Sequence, residues 1–207
     1  MNGMIGKKIG MTSAFSPDGR LVPVTVVQVG PCVVTQVKTI ENDGYTAVQL
    51  GFDEKPVDRL SRPVAGHLKK ACDKGFRVLK EFRTPSVDGV EPGATVNLDM
   101  FAIGEKVTVS GTSKGRGFQG TIKRHGFSRG PETHGNRNHR KPGSIGNSAW
   151  PAKVIKGKRM PGHMGVDRET VKNLTIVDIK HNDNLLLLRG AVPGPKTGII
   201  EIHKTDK

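Results

Sequence analysis

The chain has 207 residues and a formal net charge of +14 at pH 7, with 34% hydrophobic and 4% aromatic residues. This composition allows one domain or two small ones with a modest core. No stretch approaches the roughly 18 apolar residues of a membrane-spanning helix, and the first residues lack the apolar run of a signal peptide. The excess of positive charge indicates a polyanionic partner, either nucleic acid or an anionic membrane.

The N-terminal quarter predicts four short β-strands separated by turns. The first turn is the strongest local signal, because Pro17 fixes φ and Gly19 tolerates a positive φ. Pro23 lies in a β-branched run, which places it at the start or the edge of a strand. Asp43 and Gly44 predict a hairpin between the third and fourth strands. The four predicted strands are residues 1–12, 21–29, 32–40 and 45–52.

The next region, up to residue 110, mixes helical and strand periodicity. Val64, Leu68 and Ala71 recur at helical spacing and Gly75 can follow a helix end, so we expect a short helix within residues 63–74. Apolar runs and alternation then predict strands at residues 76–82, 94–98 and 106–110. We therefore expect a helical and loop insertion at about residues 53–98 of a β-rich body.

Strands also follow the polar centre of the chain, at residues 171–179, 184–189 and 199–203. Many short strands with turn signals between them predict a small antiparallel barrel or a sandwich. Because strands flank residues 111–165, this region leaves the body, residues 1–110 and 166–207, and returns to it. It is an inserted extension rather than a tail.

The extension carries most of the charge. Residues 111–160 contain twelve Lys and Arg but one acid, Glu132, which gives +11 of the total +14. The other 157 residues are nearly neutral, with 21 basic and 18 acidic side chains. So many like charges repel one another unless a polyanion neutralises them, and the phosphates of nucleic acid can do so. A solvated basic loop is the competing interpretation.

The extension cannot build a core of its own. Phe127 and Ile145 are the large apolar residues between positions 126 and 149, and ten glycines lie in residues 111–160. So little apolar surface does not offset the entropy of ordering the chain. We therefore expect residues 126–160 to be unordered until a partner binds.

The start of the extension carries two further patterns. Residues 112–123 can begin a short helix, with Phe118 and Ile122 packing the root of the extension onto the body. Gly115, Gly117 and Gly120 match a dinucleotide-binding pattern, but the acid expected about 20 residues later is replaced by basic residues. We interpret the glycines as positions where the backbone approaches phosphate closely.

No metal site, cofactor or catalytic group is predicted. Cys32 and Cys72 form no CxxC pair, which favours structural thiols in a reducing compartment. No nucleophile elbow or P-loop is present. Four histidines lie in or beside the extension with no cysteine near them, so we interpret them as nucleic-acid contacts rather than zinc ligands: His125, His134, His139 and His163.

Four separate stretches of the chain resemble the bacterial form of the ribosomal protein L three family. They are IGKKIGMT at residues 5–12, SKGRGFQGTIKRHGF at 113–127, HRKPGSIG at 139–146 and KGKRMPGHMG at 156–165. The four stretches occur in the same order as in that family, and the resemblance covers essentially the whole chain.

The resemblance implies a mainly β protein with a six-stranded antiparallel barrel like that of translation factors, a short helical insertion and a long irregular basic extension. It implies a non-catalytic constituent of the large ribosomal subunit in the cytoplasm. Such proteins bind near the 3′ end of 23S rRNA, help to start subunit assembly and send the extension toward the peptidyl-transferase centre. The implied neighbours are large-subunit ribosomal proteins fourteen and nineteen, without a membrane or small-molecule partner.

The candidate RNA-binding residues are cations and aromatic rings of the extension. Trp150 either stacks on RNA or anchors the extension on protein, and both interpretations stay open. The competing functions are a generic polyanion binder and a nucleic-acid-modifying enzyme, which would need more acids than Glu132. The candidates are Lys114, Arg116, Lys123, Arg124, Arg129, Arg137, His139, Arg140, Lys141, Trp150, Lys153, Lys156, Lys158 and Arg159.

Overall fold

A computed structural model of the chain describes residues 2–87 and 89–205. The chain forms two compact units, one built from the residues before Ser113 and after Asp167, the other from Ser113–Asp167. Across the described residues, none of the helices combines the length and apolar character that crossing a bilayer requires.

Strands dominate the secondary structure, as the sequence predicts. The strands are β1 (Gly3–Phe15), β2 (Leu21–Val29), β3 (Cys32–Lys38), β4 (Ala47–Lys55), β5 (Gly75–Arg83), β6 (Thr95–Val96), β7 (Lys106–Thr112), β8 (Phe118–Gln119), β9 (Gly162–His163), β10 (Arg168–Lys180), β11 (Leu185–Arg189) and β12 (Ile199–Lys204). The α-helices are α1 (Ile40–Asp43), α2 (Arg62–Leu68) and α3 (Thr121–His125), and short 3₁₀ turns cover Val57–Arg59 and Leu98–Met100.

Six strands close into an antiparallel barrel in the order β1-β12-β7-β10-β11-β2. Closure pairs the first strand with the last one, with Gly3 opposite His203 and Lys7 opposite Ile199. A closed barrel leaves no long unpaired edge, and alternate side chains of each strand fill its interior. The predicted mainly β fold with a six-stranded antiparallel barrel is confirmed.

β1 and β2 form the long hairpin that the turn signal predicts. The Gly19 N–H donates to the Ser16 carbonyl over 2.8 Å to close the turn. Pro23 faces Ser13 of β1, whereas pairing with β11 begins only at Val24. β2 therefore has a single partner strand at the proline, which confirms the edge alternative of the prediction. β1 runs past its predicted end because β2 supplies backbone partners that the apolar pattern of β1 does not reveal.

A second sheet has the order β5-β4-β3-β6. β3 and β4 form the predicted hairpin, but the connection contains the helical turn α1, closed by Gly44 in the left-handed region (φ 77°). A glycine adopts this conformation without steric cost. α2 confirms the predicted helix but ends at Leu68, short of the predicted residue 74.

One hydrophobic cluster joins the barrel to the second sheet. Cys32 lies within it, and burial raises the pKa of its thiol to about 11, against the effect of its hydrogen bond to the Ile5 carbonyl. Cys72 is half-buried, and both thiols are free. The largest fully buried side chains are Phe82, Met4, Ile5, Leu50, Leu68, Leu98, Ile176, Leu186, Leu188, Ile200, Ile202 and Val24.

We expect the stability of the body to depend on pH through His203 of β12. Its ring lies 5.0 Å from the Phe82 ring, and burial lowers its pKa while Glu201 opposes the shift. The unfolded chain therefore binds a proton at His203 more readily than the folded chain does. The contribution of His203 to the free energy of unfolding is complete above about pH 6.5 and is lost as the pH falls through the lowered pKa.

We therefore expect His203→Gln to reduce the loss of unfolding free energy between about pH 7.5 and pH 5, measured by urea denaturation. His134→Gln, which changes an exposed histidine of the other unit, serves as the control and should keep the wild-type difference. The same pH difference in wild type and His203→Gln would contradict this role of His203.

Candidate nucleic-acid interface

The unit Ser113–Asp167 begins and ends in a paired segment, which we call the neck, residues 113–125 and 160–167. Phe118 pairs with His163, and Gln119 pairs with Gly162, where β8 meets β9. The Arg116 N–H donates to the Met164 carbonyl over 2.9 Å. The Arg116 amide of this glycine-rich segment is therefore used within the protein.

The predicted helix within residues 112–123 is largely wrong. Residues 113–120 carry no helix and include β8, and α3 begins only at Thr121. Three glycines in this run disfavour a helix, and pairing with β9 stabilises the extended form. The expected burial of Phe118 is also wrong, because its side chain is 76% exposed, whereas Ile122 is half-buried.

Residues 126–159, which we call the distal segment, contain no helix or strand. Local hydrogen bonds close one loop within it: the Gly130 N–H donates to the His139 carbonyl, and His139 Nδ1 donates to the Pro131 carbonyl, both over 3.0 Å. None of the core's buried apolar side chains comes from Ser113–Asp167. The expectation that this region lacks a core is confirmed.

Most predicted binding residues project into solvent. Ten exposed cations have no ion-pair partner among the residues that the structure describes: Lys114, Arg116, Lys123, Arg137, Arg140, Lys141, Lys153, Lys156, Lys158 and Arg159. Arg129 is also exposed but pairs with Glu132, the single acid of the distal segment. Unneutralised cations on a segment without other acids create a strong positive potential.

Two predicted residues are only half-exposed and already have partners in the chain. His139 closes the loop at Pro131, and Arg124 Nη1 donates to the Met160 carbonyl over 2.7 Å. Sequence reasoning grouped Arg124 with the other cations because charge alone does not reveal a carbonyl 36 residues away.

The apolar side chains of this unit are exposed rather than buried. Trp150 is 83% exposed, so its ring is available for stacking. Phe118 presents a second exposed ring, close in the sequence to Lys114 and Arg116. Sequence reasoning missed this residue; an aromatic ring set between glycines and cations was the available signal.

Comparisons with known proteins identify the family. A family model described as ribosomal protein L3 matches residues 86–185. A large ribosomal subunit protein uL3 from Desulforapulum autotrophicum is 66% identical over 202 residues, covering 98% of each chain. One from Alkaliphilus metalliredigens is 51% identical, covering 100% of this chain and 99% of the relative, and one from Geobacter metallireducens is 52% identical over 99% and 98%.

This chain belongs to the uL3 family. The family model spans all of Ser113–Asp167, so the basic unit lies within the matched region. The matches to these relatives cover both units of the chain. The relatives carry the name of a large-subunit ribosomal protein rather than of an enzyme. The resemblance carried by the four sequence stretches is thereby confirmed.

Within residues 2–87 and 89–205, no three His, Cys, Asp or Glu side chains are arranged to hold a metal ion. The glycine pattern at Gly115 to Gly120 leads into α3, which has five residues. A dinucleotide site instead uses a strand, a glycine turn and a full helix whose N-terminus faces the pyrophosphate.

Proposed function

We propose that this uL3-family protein is a structural, rRNA-binding constituent of the large ribosomal subunit, a cytoplasmic particle. The observation that carries the proposal is the group of ten exposed, unpaired cations on the described unit Ser113–Asp167. The family supports the ribosomal assignment, and the charge supports RNA as the direct partner.

The cations of the distal segment bind backbone phosphates, while exposed rings stack on bases. Arg forms bidentate hydrogen bonds with phosphate and Lys acts as a point charge. Trp150 has an accessible face for a base and is the proposed stacking residue of the distal segment. Lys114, Arg116 and Lys123 bind phosphates at the neck.

The finer assignment follows the resemblance. The protein binds near the 3′ end of 23S rRNA, helps to nucleate assembly and sends its basic unit, about residues 111–165, toward the peptidyl-transferase centre. Its protein neighbours are large-subunit proteins fourteen and nineteen. The exposed cations of the described distal segment support an RNA environment, because RNA phosphates would neutralise them.

The test compares binding of the intact protein to a 3′-end 23S rRNA fragment and to an unrelated structured RNA of equal length. We expect a preference for the rRNA fragment that persists at about 200 mM salt, where phosphate contacts alone are weakened. Equal affinity for both RNAs across the salt range would contradict the proposal and indicate a generic polyanion binder.

A further inference from the structure

One basic residue of the extension is placed differently from the other cations. Arg124, in α3, is half-buried, and its Nη1 donates to the Met160 carbonyl over 2.7 Å. His125 Nε2 donates to the same carbonyl over 3.0 Å. Both lone pairs of this oxygen thus have a donor, and one of the donors is a cation.

Gly162 provides the space that the guanidinium occupies. A Cβ added at residue 162 would lie 2.6 Å from Arg124 Nη1 and 3.0 Å from Cζ. Close-packed protein atoms do not approach each other so closely, so a side chain at this position would displace the guanidinium. Gly162 therefore leaves room for the guanidinium in its observed position.

The Arg124 contact lies beside the backbone pairing of the neck. The Met164 N–H donates to the Gly117 carbonyl over 3.0 Å, and the Ser113 N–H donates to the Asp167 carbonyl over 2.9 Å. These bonds and the bond from Arg124 join the two ends of the distal segment. Without a buried apolar core in the described residues of this unit, such polar contacts carry much of its order.

We propose that Arg124 is a positioning residue that closes the neck and sets the direction of the distal segment, rather than a phosphate ligand. The inference rests on the proposed RNA-binding function for its effect on affinity. The preformed neck lowers the conformational cost of binding, because the two ends of the distal segment are already held together.

The test uses three single variants of the full chain. Arg124→Ala removes both the charge and the contact, whereas Gly162→Ala displaces the guanidinium and keeps the charge. Arg137→Ala removes an exposed cation that has no ion-pair partner in the described chain. Two quantities are measured: amide hydrogen exchange in the free protein, and affinity for the rRNA fragment against salt.

Arg124→Ala and Gly162→Ala should both lose amide protection at Arg116 and Met164, which Arg137→Ala should keep. Both should weaken RNA binding by about tenfold at a fixed salt concentration, the effect of a modest extra ordering cost. Their plots of log K against log salt should keep the wild-type slope within about half a unit, whereas Arg137→Ala should flatten the slope by about 0.7 to 0.9.

The inference fails if Arg124→Ala keeps amide protection in the neck. It also fails if Arg124→Ala flattens the slope as Arg137→Ala does while Gly162→Ala binds like wild type, since Arg124 would then be a phosphate ligand. If the wild-type protein shows no preference for the rRNA fragment, the proposed function fails, and the exchange experiment still decides the role of Arg124 in the free protein.

Discussion

Replacing residues 127–159 by a short Gly/Ser linker should remove most of the salt dependence of RNA binding. The replaced residues contain seven of the ten exposed, unpaired cations of the described unit: Arg137, Arg140, Lys141, Lys153, Lys156, Lys158 and Arg159. Each phosphate contact that is lost should flatten the plot of log K against log salt by about 0.7 to 0.9, so the total change should reach several units. The measurement is a salt titration of binding to the 3′-end rRNA fragment.

The control distinguishes the loss of the distal segment from a general loss of positive charge. A variant with four exposed lysines of the body changed to Gln, Lys69, Lys70, Lys172 and Lys180, lowers the charge by four without touching the distal segment. Its slope should stay close to that of wild type, and both variants should unfold at the wild-type urea midpoint. A linker variant that keeps the full slope would place the phosphate contacts on the body or the neck and contradict the proposed role of the distal segment.

Phe82→Ala should destabilise the body strongly, with a loss of about 3 to 5 kcal/mol in the free energy of unfolding. Phe82 of β5 is 1% exposed and belongs to the cluster that joins the second sheet to the barrel. Its ring lies against Gly3, where an added Cβ would come within 2.5 Å of it. Truncation leaves a cavity between β5 and β1, which urea denaturation would register.

Phe15→Ala is the matched control, because the same side chain is 77% exposed near the end of the first hairpin. A surface truncation of this kind usually changes stability by no more than about 0.5 kcal/mol. If the two variants lost equal stability, the cluster around Phe82 would not be the element that holds the two sheets together.

Short sequence patterns correctly predicted those strands and turns that depend only on neighbouring residues. The bounds predicted for β2 match the structure, because a β-branched run between two turns specifies a strand without distant information. The hairpin of β3 and β4 was predicted from Asp43 and Gly44 for the same reason. The lack of a core in the distal segment followed from composition, since a segment with few apolar residues cannot bury enough of them.

Distant contacts explain what local patterns missed. Lys8 is buried, with Nζ donating to the carbonyls of Val192 and Gly194, and Arg124 donates to Met160. Nothing near either residue in the sequence distinguishes it from a solvent-facing cation. Phe118 was misassigned because its apparent helical spacing with Ile122 was outweighed by strand pairing across the neck.

The most direct test of the central claim, that the distal segment lies within rRNA, is lysine acylation read by mass spectrometry. The protein is labelled free in solution and again in large subunits reconstituted with it. We expect Lys141, Lys153, Lys156 and Lys158, all exposed in the chain, to lose their reactivity in the subunit. If these four lysines remain as reactive in the subunit as in the free protein, the distal segment does not bind rRNA and the proposed interface is wrong.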